Sequence, residues 1–240
     1  MGSRVFWSII VPAYNESSRL FHLESIAGYL KSLKQSSELI VVNDGSRDDT
    51  LTKLEKLSQK LNFKLISYPV NHGKGYAIKQ GMLAAKGEYA LFLDIDLSTP
   101  INQIEKIVPL LTPNRVLIGT RKTKGAVVAV HQPFIRETLG KGFTLLSQIF
   151  TQVWVSDFTC GFKCFPIKAA HQIFKASRIY RWGFDSEIIY LAHKYQYQIK
   201  EVPVTWTNDT QTKVKFPQDL INSLMELLRI RYYDHVKGWY

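Results

Sequence analysis

The stretch Tyr89-Ala-Leu-Phe-Leu-Asp94-Ile95-Asp96-Leu97-Ser98 carries the reading of the chain. Its first five residues are mostly apolar and read as a buried strand, which runs directly into two carboxylates one residue apart. Side chains alternate along an extended segment, so Asp94 and Asp96 point to the same side. Two acids held at one spot repel each other. A hard divalent cation such as magnesium or manganese removes that repulsion while keeping waters and taking up phosphate oxygens. A strand-end turn with two solvated acids has the same pattern, so the remaining strand ends bear on the choice.

Upstream, residues 5–11 read as a first strand broken by Pro12, with Pro12-Ala-Tyr14-Asn-Glu16 as the loop beyond it. Ser17 or Ser18 caps a helix that carries Leu20, Leu23, Ile26, Ala27, Leu30 and Leu33 at helical spacing. A second strand, residues 39–42, ends in Asn43-Asp44-Gly45-Ser46, and Asp48 or Asp49 opens the next helix. Residues 63–67 form a third strand, followed by Asn71-His-Gly-Lys74-Gly75 and a helix over 76–86 that Gly87 closes. Strand, loop and helix repeat three times. That pattern predicts an α/β fold, a mainly parallel sheet with helices on both faces and ligands beyond the carboxyl ends of the strands. Pro12 to Glu16, Asp44, His72 to Lys74 and the Asp94/Asp96 pair all fall at those ends.

Downstream, Pro100 begins a helix to Leu111, and a strand over 115–119 ends in the basic loop Thr120-Arg121-Lys122-Thr-Lys124. Residues 133–153 read as a longer helix with Arg136 in its first turn. Asp157-Phe-Thr-Cys-Gly161-Phe-Lys163 is a polar, glycine-containing segment, and Asp185 and Glu187 read as capping acids of a further helix. Residues 199–206 alternate around Pro203, as an edge strand does. The expected organisation is a main domain over 1–215 and a C-terminal amphipathic helix over 216–240. That helix ends in Arg229, Arg231, Tyr232, Tyr233, Lys237, Trp239 and Tyr240, a basic and aromatic mixture that suits a membrane interface.

The 240 residues carry a formal net charge of +11, which favours an anionic partner: nucleic acid, a phosphate-bearing substrate or a membrane surface. A nucleic-acid module is set aside, because the basic residues are dispersed over amphipathic helices while the acids cluster at strand ends. Cys160 and Cys164 lack the second pair that a structural zinc site needs and read as reduced thiols of a cytosolic protein. No signal-peptide pattern occurs, and no apolar run reaches the roughly 20 residues of a spanning helix. Contact with a membrane is therefore expected to be peripheral.

The motifs Ile9-Ile-Val-Pro-Ala-Tyr-Asn-Glu16, Val41-Val-Asn-Asp44-Gly-Ser, Gly73-Lys-Gly75 and Asp94-Ile-Asp96 together resemble the inverting family 2 glycosyltransferases of GT-A fold. Gly119-Thr-Arg121, Phe134-Ile-Arg136, Asp157-Phe-Thr-Cys-Gly161-Phe, Phe184-Asp-Ser-Glu187, Glu201-Val-Pro203 and Arg229-Ile-Arg231-Tyr232 are similar to the dolichyl-phosphate glucose and mannose synthases, the glucose branch more closely. The resemblance implies that Pro12, Tyr14, Glu16, Val42 and Asp44 hold the nucleotide, with Asp44 accepting from the base imide. It implies that Asp94 and Asp96, flanking Ile95, place magnesium or manganese on the diphosphate of a nucleotide sugar. Lys74 joins the nucleotide contacts, and Arg121, Arg136 and Lys213, with Arg229 and Arg231 of the closing motif, complete the phosphate-binding set.

The implied reaction moves glucose from UDP-glucose to a polyprenyl or dolichyl phosphate with inversion, at the cytoplasmic face of an anionic membrane. GDP-mannose as donor and a sugar hydroxyl as acceptor are the alternatives. Asp96 is implied in catalysis through the cation, and Asp157 either as a base or as the residue that orients the arginines.

Overall fold

The first strand, β1 (Trp7–Ala13), shows why the sheet has two covered faces. Ile10 packs in one core with Ile40 and Val42, while Trp7, Ile9 and Val11 pack in the other with Leu39 and Val41. Alternation along strands buried on both sides divides the apolar residues between two helical layers. The structure, a computed structural model, describes residues 5–130, 134–209 and 218–240, without the side chains of 134–136 and 218–220.

In chain order α1 (His22–Ser32), β2 (Ser37–Asp44), α2 (Thr50–Leu61), β3 (Lys64–Tyr68), α3 (Lys74–Ala84), β4 (Tyr89–Leu93), α4 (Ile104–Ile107), β5 (Arg115–Thr120) and β6 (Val127–Val130) follow. Then come α5 (Phe134–Thr151), β7 (Phe162–Pro166), α6 (Ile167–Ala176), α7 (Phe184–Lys194), β8 (Gln198–Pro203), β9 (Thr205–Thr207) and α8 (Gln218–His235). Seven strands form one sheet in the order β3-β2-β1-β4-β7-β5-β8, and β6 pairs with β9 in a separate ribbon. All pairs in the large sheet are parallel except those of β7, which runs antiparallel to both β4 and β5. From β1 the chain winds outward to β2 and β3, then returns to place β4 on the other side of β1. The switch point of the sheet therefore lies between β1 and β4, where a crevice opens at the carboxyl ends.

Several local expectations are corrected. Pro12 does not end β1: the strand continues to Ala13 with Pro12 opposite Val42. Pairing with β4 stops at Ile10 opposite Phe92, so β1 is a free edge beyond that point, where a proline is tolerated. The first helix starts at His22 without a serine cap, leaving Leu20 ahead of it. Gly87 is not a helix cap, since α3 ends at Ala84. It is needed for close approach, because a Cβ there would lie 2.6 Å from the Ser8 backbone nitrogen. The helix expected from Pro100 to Leu111 is broken into a 3-10 turn (Ile101–Gln103), the short α4 and a second 3-10 turn (Val108–Leu110), where Pro109 removes a backbone donor. The antiparallel β7 was hidden in sequence by Lys163, which interrupts its apolar run yet is fully buried.

The C-terminal region differs most from expectation. Leu227 and Ile230 of α8 belong to the same core as α3, α6 and α7, and the aromatic tail folds back on the body. Trp239 stacks on Tyr233 at 4.9 Å between ring centroids and lies under Arg178, and the Tyr240 hydroxyl donates to Glu187. The boundary expected at 215/216 lies outside the described residues.

Candidate active site

Asp94 and Asp96 follow β4 at the switch point, at the carboxyl edge that also holds the ends of β1, β2 and β5. The turn that presents them is built closely. Leu97 has φ of 51°, a left-handed conformation that is uncommon for leucine, and its N–H donates to the Asp94 carbonyl at 3.1 Å. The Ser98 N–H donates to Asp96 Oδ1 at 2.9 Å, and the Ser98 carbonyl accepts from Thr207 of β9 at 2.9 Å. Behind the pair, a Cβ on Gly161 would fall 2.0 Å from Asp94 Oδ2, so only glycine leaves Asp94 its place. Burial and then the neighbouring Asp94 charge push the Asp96 carboxyl above its usual range. A cleft of about 380 Å3 beside Asp96 is bounded by His22, Ser98 and Thr207 to Asp209.

These two carboxylates fit a hard divalent cation: both are oxygen donors on one turn, and Lys74 and the Ser98 N–H offset the burial and mutual repulsion felt at Asp96 only in part. Among the described residues no cluster of three or more His, Cys, Asp or Glu could hold a metal ion. An ion here would complete its shell with water and phosphate oxygens, as magnesium and manganese commonly do.

Next to the pair, Lys74 Nζ lies 2.6 Å from Asp94 Oδ1. Its place is set from two directions. Asp44, buried at the end of β2, accepts from His72 N and Gly73 N, each at 2.9 Å, and from Asn71 Nδ2 at 2.7 Å. From the other side the Tyr180 carbonyl accepts from Gly75 N at 2.8 Å. A Cβ on Gly73 would meet Tyr180 O at 2.4 Å, and one on Gly75 would meet Phe184 Cβ at 2.6 Å. The glycines flanking Lys74 thus admit the 179–184 segment against the start of α3. Asp44 meanwhile spends three acceptor positions on this turn, a task the sequence did not reveal.

The other half of the edge is basic. After β5, Arg121 forms a two-pronged pair with Asp157, Nε to Oδ2 at 2.7 Å and Nη2 to Oδ1 at 2.8 Å, and Nη2 also donates to Thr159 Oγ1 at 2.9 Å. The guanidinium stacks over Trp206 at 5.1 Å. Burial pushes the Asp157 carboxyl up, but Arg121 outweighs it and holds the group below the usual carboxylate range. The neighbouring Lys122 donates to Thr144 of α5 at 2.8 Å, and Glu201 Oε1 takes the Ser156 N–H at 2.9 Å.

Glu16 is buried beside Arg19 at 2.9 Å, and Arg19 in turn pairs with Asp209 at 2.9 Å. Pro12 and Tyr14 are half-buried at the same edge, whereas the side chains of Val42 and Ile95 point into the two cores. Asp185 and Glu187 are not solvated caps. Asp185 pairs with the buried Lys163 at 2.5 Å, and Glu187 accepts from Arg178 N at 2.8 Å and Ile179 N at 2.9 Å. Arg229 is exposed on α8 and Arg231 lies beside Tyr190 of α7; no described contact joins either to the acid pair. The Arg136 side chain and Lys213 lie outside the described residues.

Comparison with known proteins agrees with this geometry. Residues 8–174 match the Glycosyl transferase family 2 domain. The dolichyl-phosphate beta-glucosyltransferase of Dictyostelium discoideum is 34% identical over 243 residues, 95% of this chain and 74% of that protein. Its counterpart from Saccharomyces cerevisiae is 34% identical over 95% of this chain and 74% of its own, and the one from Homo sapiens 32% over 86% and 69%. Among solved structures, glucosyl-3-phosphoglycerate synthase from Mycobacterium tuberculosis in complex with Mn2+ and UDP-glucose superposes with a TM-score of 0.67 at 18% identity, covering 95% of this chain and 78% of that one. That likeness is one of fold, the GT-A arrangement. Because the domain match runs from β1 into α6, and so takes in the acid pair, the Lys74 turn and the braced arginine, the chain belongs to glycosyl transferase family 2 and is a glycosyltransferase.

Proposed function

We propose that the protein transfers glucose from UDP-glucose to a dolichyl or polyprenyl phosphate, with inversion at the anomeric carbon and in dependence on magnesium or manganese. The observation that carries this reading is the division of one strand-end edge into an acid pair at β4 and a carboxylate-braced guanidinium at β5. Three relatives spanning most of the chain are dolichyl-phosphate beta-glucosyltransferases, which supports the donor sugar and the acceptor class.

Asp94 and Asp96 would hold the cation, which when bound supplies positive charge to a diphosphate that gains negative charge as it leaves. Arg121 is the described guanidinium on this edge best placed to receive an acceptor phosphate, and Arg136 and Lys213 remain assigned to the same task. A lipid monophosphate, with a second pKa near 6, is largely dianionic at neutral pH and needs little help from a base. Its oxygen attacks the anomeric carbon from the face opposite the diphosphate. The bond to the donor oxygen breaks as the new one forms, so an α-linked donor yields a β-linked lipid phosphate sugar. Asp157 has both oxygens committed to Arg121, which supports the orienting role over that of a base.

A lipid acceptor and a water-soluble nucleotide-sugar donor support a reaction at a membrane surface, which we assign to the cytoplasmic face of an anionic membrane. No helix among the described residues is long and apolar enough to cross one. Support for peripheral contact comes from the outer side of α5 and α8, which pack on each other and on α7. Ile221, Met225, Leu228 and Tyr232 follow one another along α8 at helical spacing and are exposed, as are Leu145 and Ile149 of α5 and Trp154 just beyond it. Exposed Arg229 and Lys141 supply cationic groups on the same two helices. The lipid-facing role thus moves from the aromatic tail, which is folded back, to this two-helix surface.

Radiolabelled UDP-glucose, UDP-galactose and GDP-mannose are each incubated with the protein, manganese and a polyprenyl phosphate. Chloroform-soluble label from UDP-glucose alone, lost on chelation, is the expected result. Label from GDP-mannose instead moves the protein to the mannose branch, and label that stays in water-soluble product removes the lipid phosphate as acceptor.

A further inference from the structure

Asp94 has two claimants. Lys74 Nζ holds its Oδ1 at 2.6 Å, and the cation of the proposed reaction needs the same carboxylate. An ammonium and a divalent ion cannot both take the full charge of one acid, so one must yield. Asp94 itself has little freedom to move away, since its Oδ2 lies where a Cβ on Gly161 would be. The backbone of Lys74 is equally fixed, by Asp44 through Gly73 N and by the Tyr180 carbonyl through Gly75 N. Only the lysine side chain is left to swing.

A second seat exists for it. Asp185, at the start of α7, directly follows Phe184, whose Cβ lies where a side chain on Gly75 would be, so it stands beside the turn that carries Lys74, and its charge is felt by both Lys74 and Asp94. Its Oδ1 is held by Lys163 at 2.5 Å, and Lys163 is itself anchored by the Cys160 carbonyl at 2.7 Å. The other oxygen, Oδ2, takes no hydrogen bond among the described residues. Lys163 is fully buried, so Asp185 is pinned as a fixed, half-used carboxylate beside the metal seat and not part of it.

We propose that Lys74 is a two-position counter-ion, resting on Asp94 while the acid pair is empty and moving to Asp185 when a divalent cation and a nucleoside diphosphate occupy it. This rests on the metal-dependent reading above. The lysine keeps the acids from repelling each other in the empty enzyme, and it makes cation entry depend on the diphosphate. The cation alone must displace an ion pair, whereas a diphosphate adds its own oxygens to the cation's shell and so offsets the cost of moving the ammonium from Asp94 to Asp185. Lys74 is thus a positioning residue, acting on the reaction through Asp94.

The test is a manganese titration followed by the electron paramagnetic resonance of free Mn2+, with and without UDP. Lys74→Met should bind Mn2+ alone about tenfold more tightly than the wild type, the order of one charge-assisted hydrogen bond. UDP should then add correspondingly less to its affinity. Asp185→Asn, which removes the second seat, should weaken Mn2+ binding in the presence of UDP, with circular dichroism monitoring the fold. If Lys74→Met binds Mn2+ alone no more tightly than the wild type, the two-position assignment is overturned; Lys74→Gln repeats this arm should the methionine variant not fold. If the wild type binds no Mn2+ even with UDP, the metal-dependent reading falls as well, so the two failures are told apart.

Discussion

The acid end of β4 and the basic end of β5 lie on one edge of one sheet, separated by a single antiparallel strand, and they are finished to different degrees. Arg121 and Asp157 neutralise each other in two parallel hydrogen bonds, with Asp157 fully buried and the guanidinium further held by Thr159 and Trp206. Asp94 and Asp96 share one lysine between two negative charges, and they stand in a turn that forces Leu97 into a left-handed conformation. A charge balanced by its neighbours is a brace, and one left unbalanced is a seat for something that arrives later. The β5 side is built to present a cation of fixed orientation. On the proposed reading, the β4 side receives one.

That contrast can be broken most decisively at Asp96. Replacement by alanine should lower transfer by about a thousandfold or more, the loss typical of removing a main electrostatic stabiliser. Mn2+ binding should be lost with it, while circular dichroism and the melting curve stay as in the wild type. Normal turnover in Asp96→Ala would mean that the acid pair is no seat at all.

On the β5 side, Asp157→Asn leaves a buried guanidinium without its charge partner. The expected cost is about 3 kcal/mol of stability, read by denaturant melts, together with a raised KM for the lipid acceptor. A variant that kept its stability and lost only kcat would make Asp157 a base and erase the distinction between brace and seat.

The smallest effect belongs to the support behind Lys74. Burial pushes Glu187 up to about 7 even though Tyr240 and two backbone N–H groups donate to it. The folded state therefore keeps a proton that the unfolded chain has already released, and this group's share of stability falls as pH rises from about 4.5 to about 7. Glu187→Gln should remove that share of the slope, so that the wild-type melting temperature falls further than the variant's across the window. Equal slopes in the two proteins would show that Glu187 is ionised throughout.

Much of this was legible in the chain. The three strand-loop-helix units produced the parallel half of the sheet, because apolar runs of strand length followed by helical periodicity have few other solutions. The Asp94/Asp96 pair and Arg121 fell where expected, since a residue that follows a strand's last apolar position must emerge at the sheet edge. Less legible was anything that depended on a partner distant in sequence. Lys163 looked like a polar loop residue and is a fully buried strand residue, because Asp185, 22 positions away, neutralises it. Asp185 and Glu187 looked like caps for the same reason. The glycines beside Lys74 belonged to a motif that implied nucleotide contacts, yet their missing side chains make room for Tyr180 and Phe184.

The sequence by itself determined the class of fold, the edge on which the chemistry lies and the kinds of charge gathered there, since local periodicity and strand-end position do not depend on what packs against them. Only the tertiary structure decided which of those charges are already balanced. The antiparallel entry of β7 brought Gly161 against Asp94 and Lys163 against Asp185, and the start of α3 brought Lys74 onto Asp94. Ion pairing depends on distances between segments far apart along the chain, and those distances exist only once the sheet has closed.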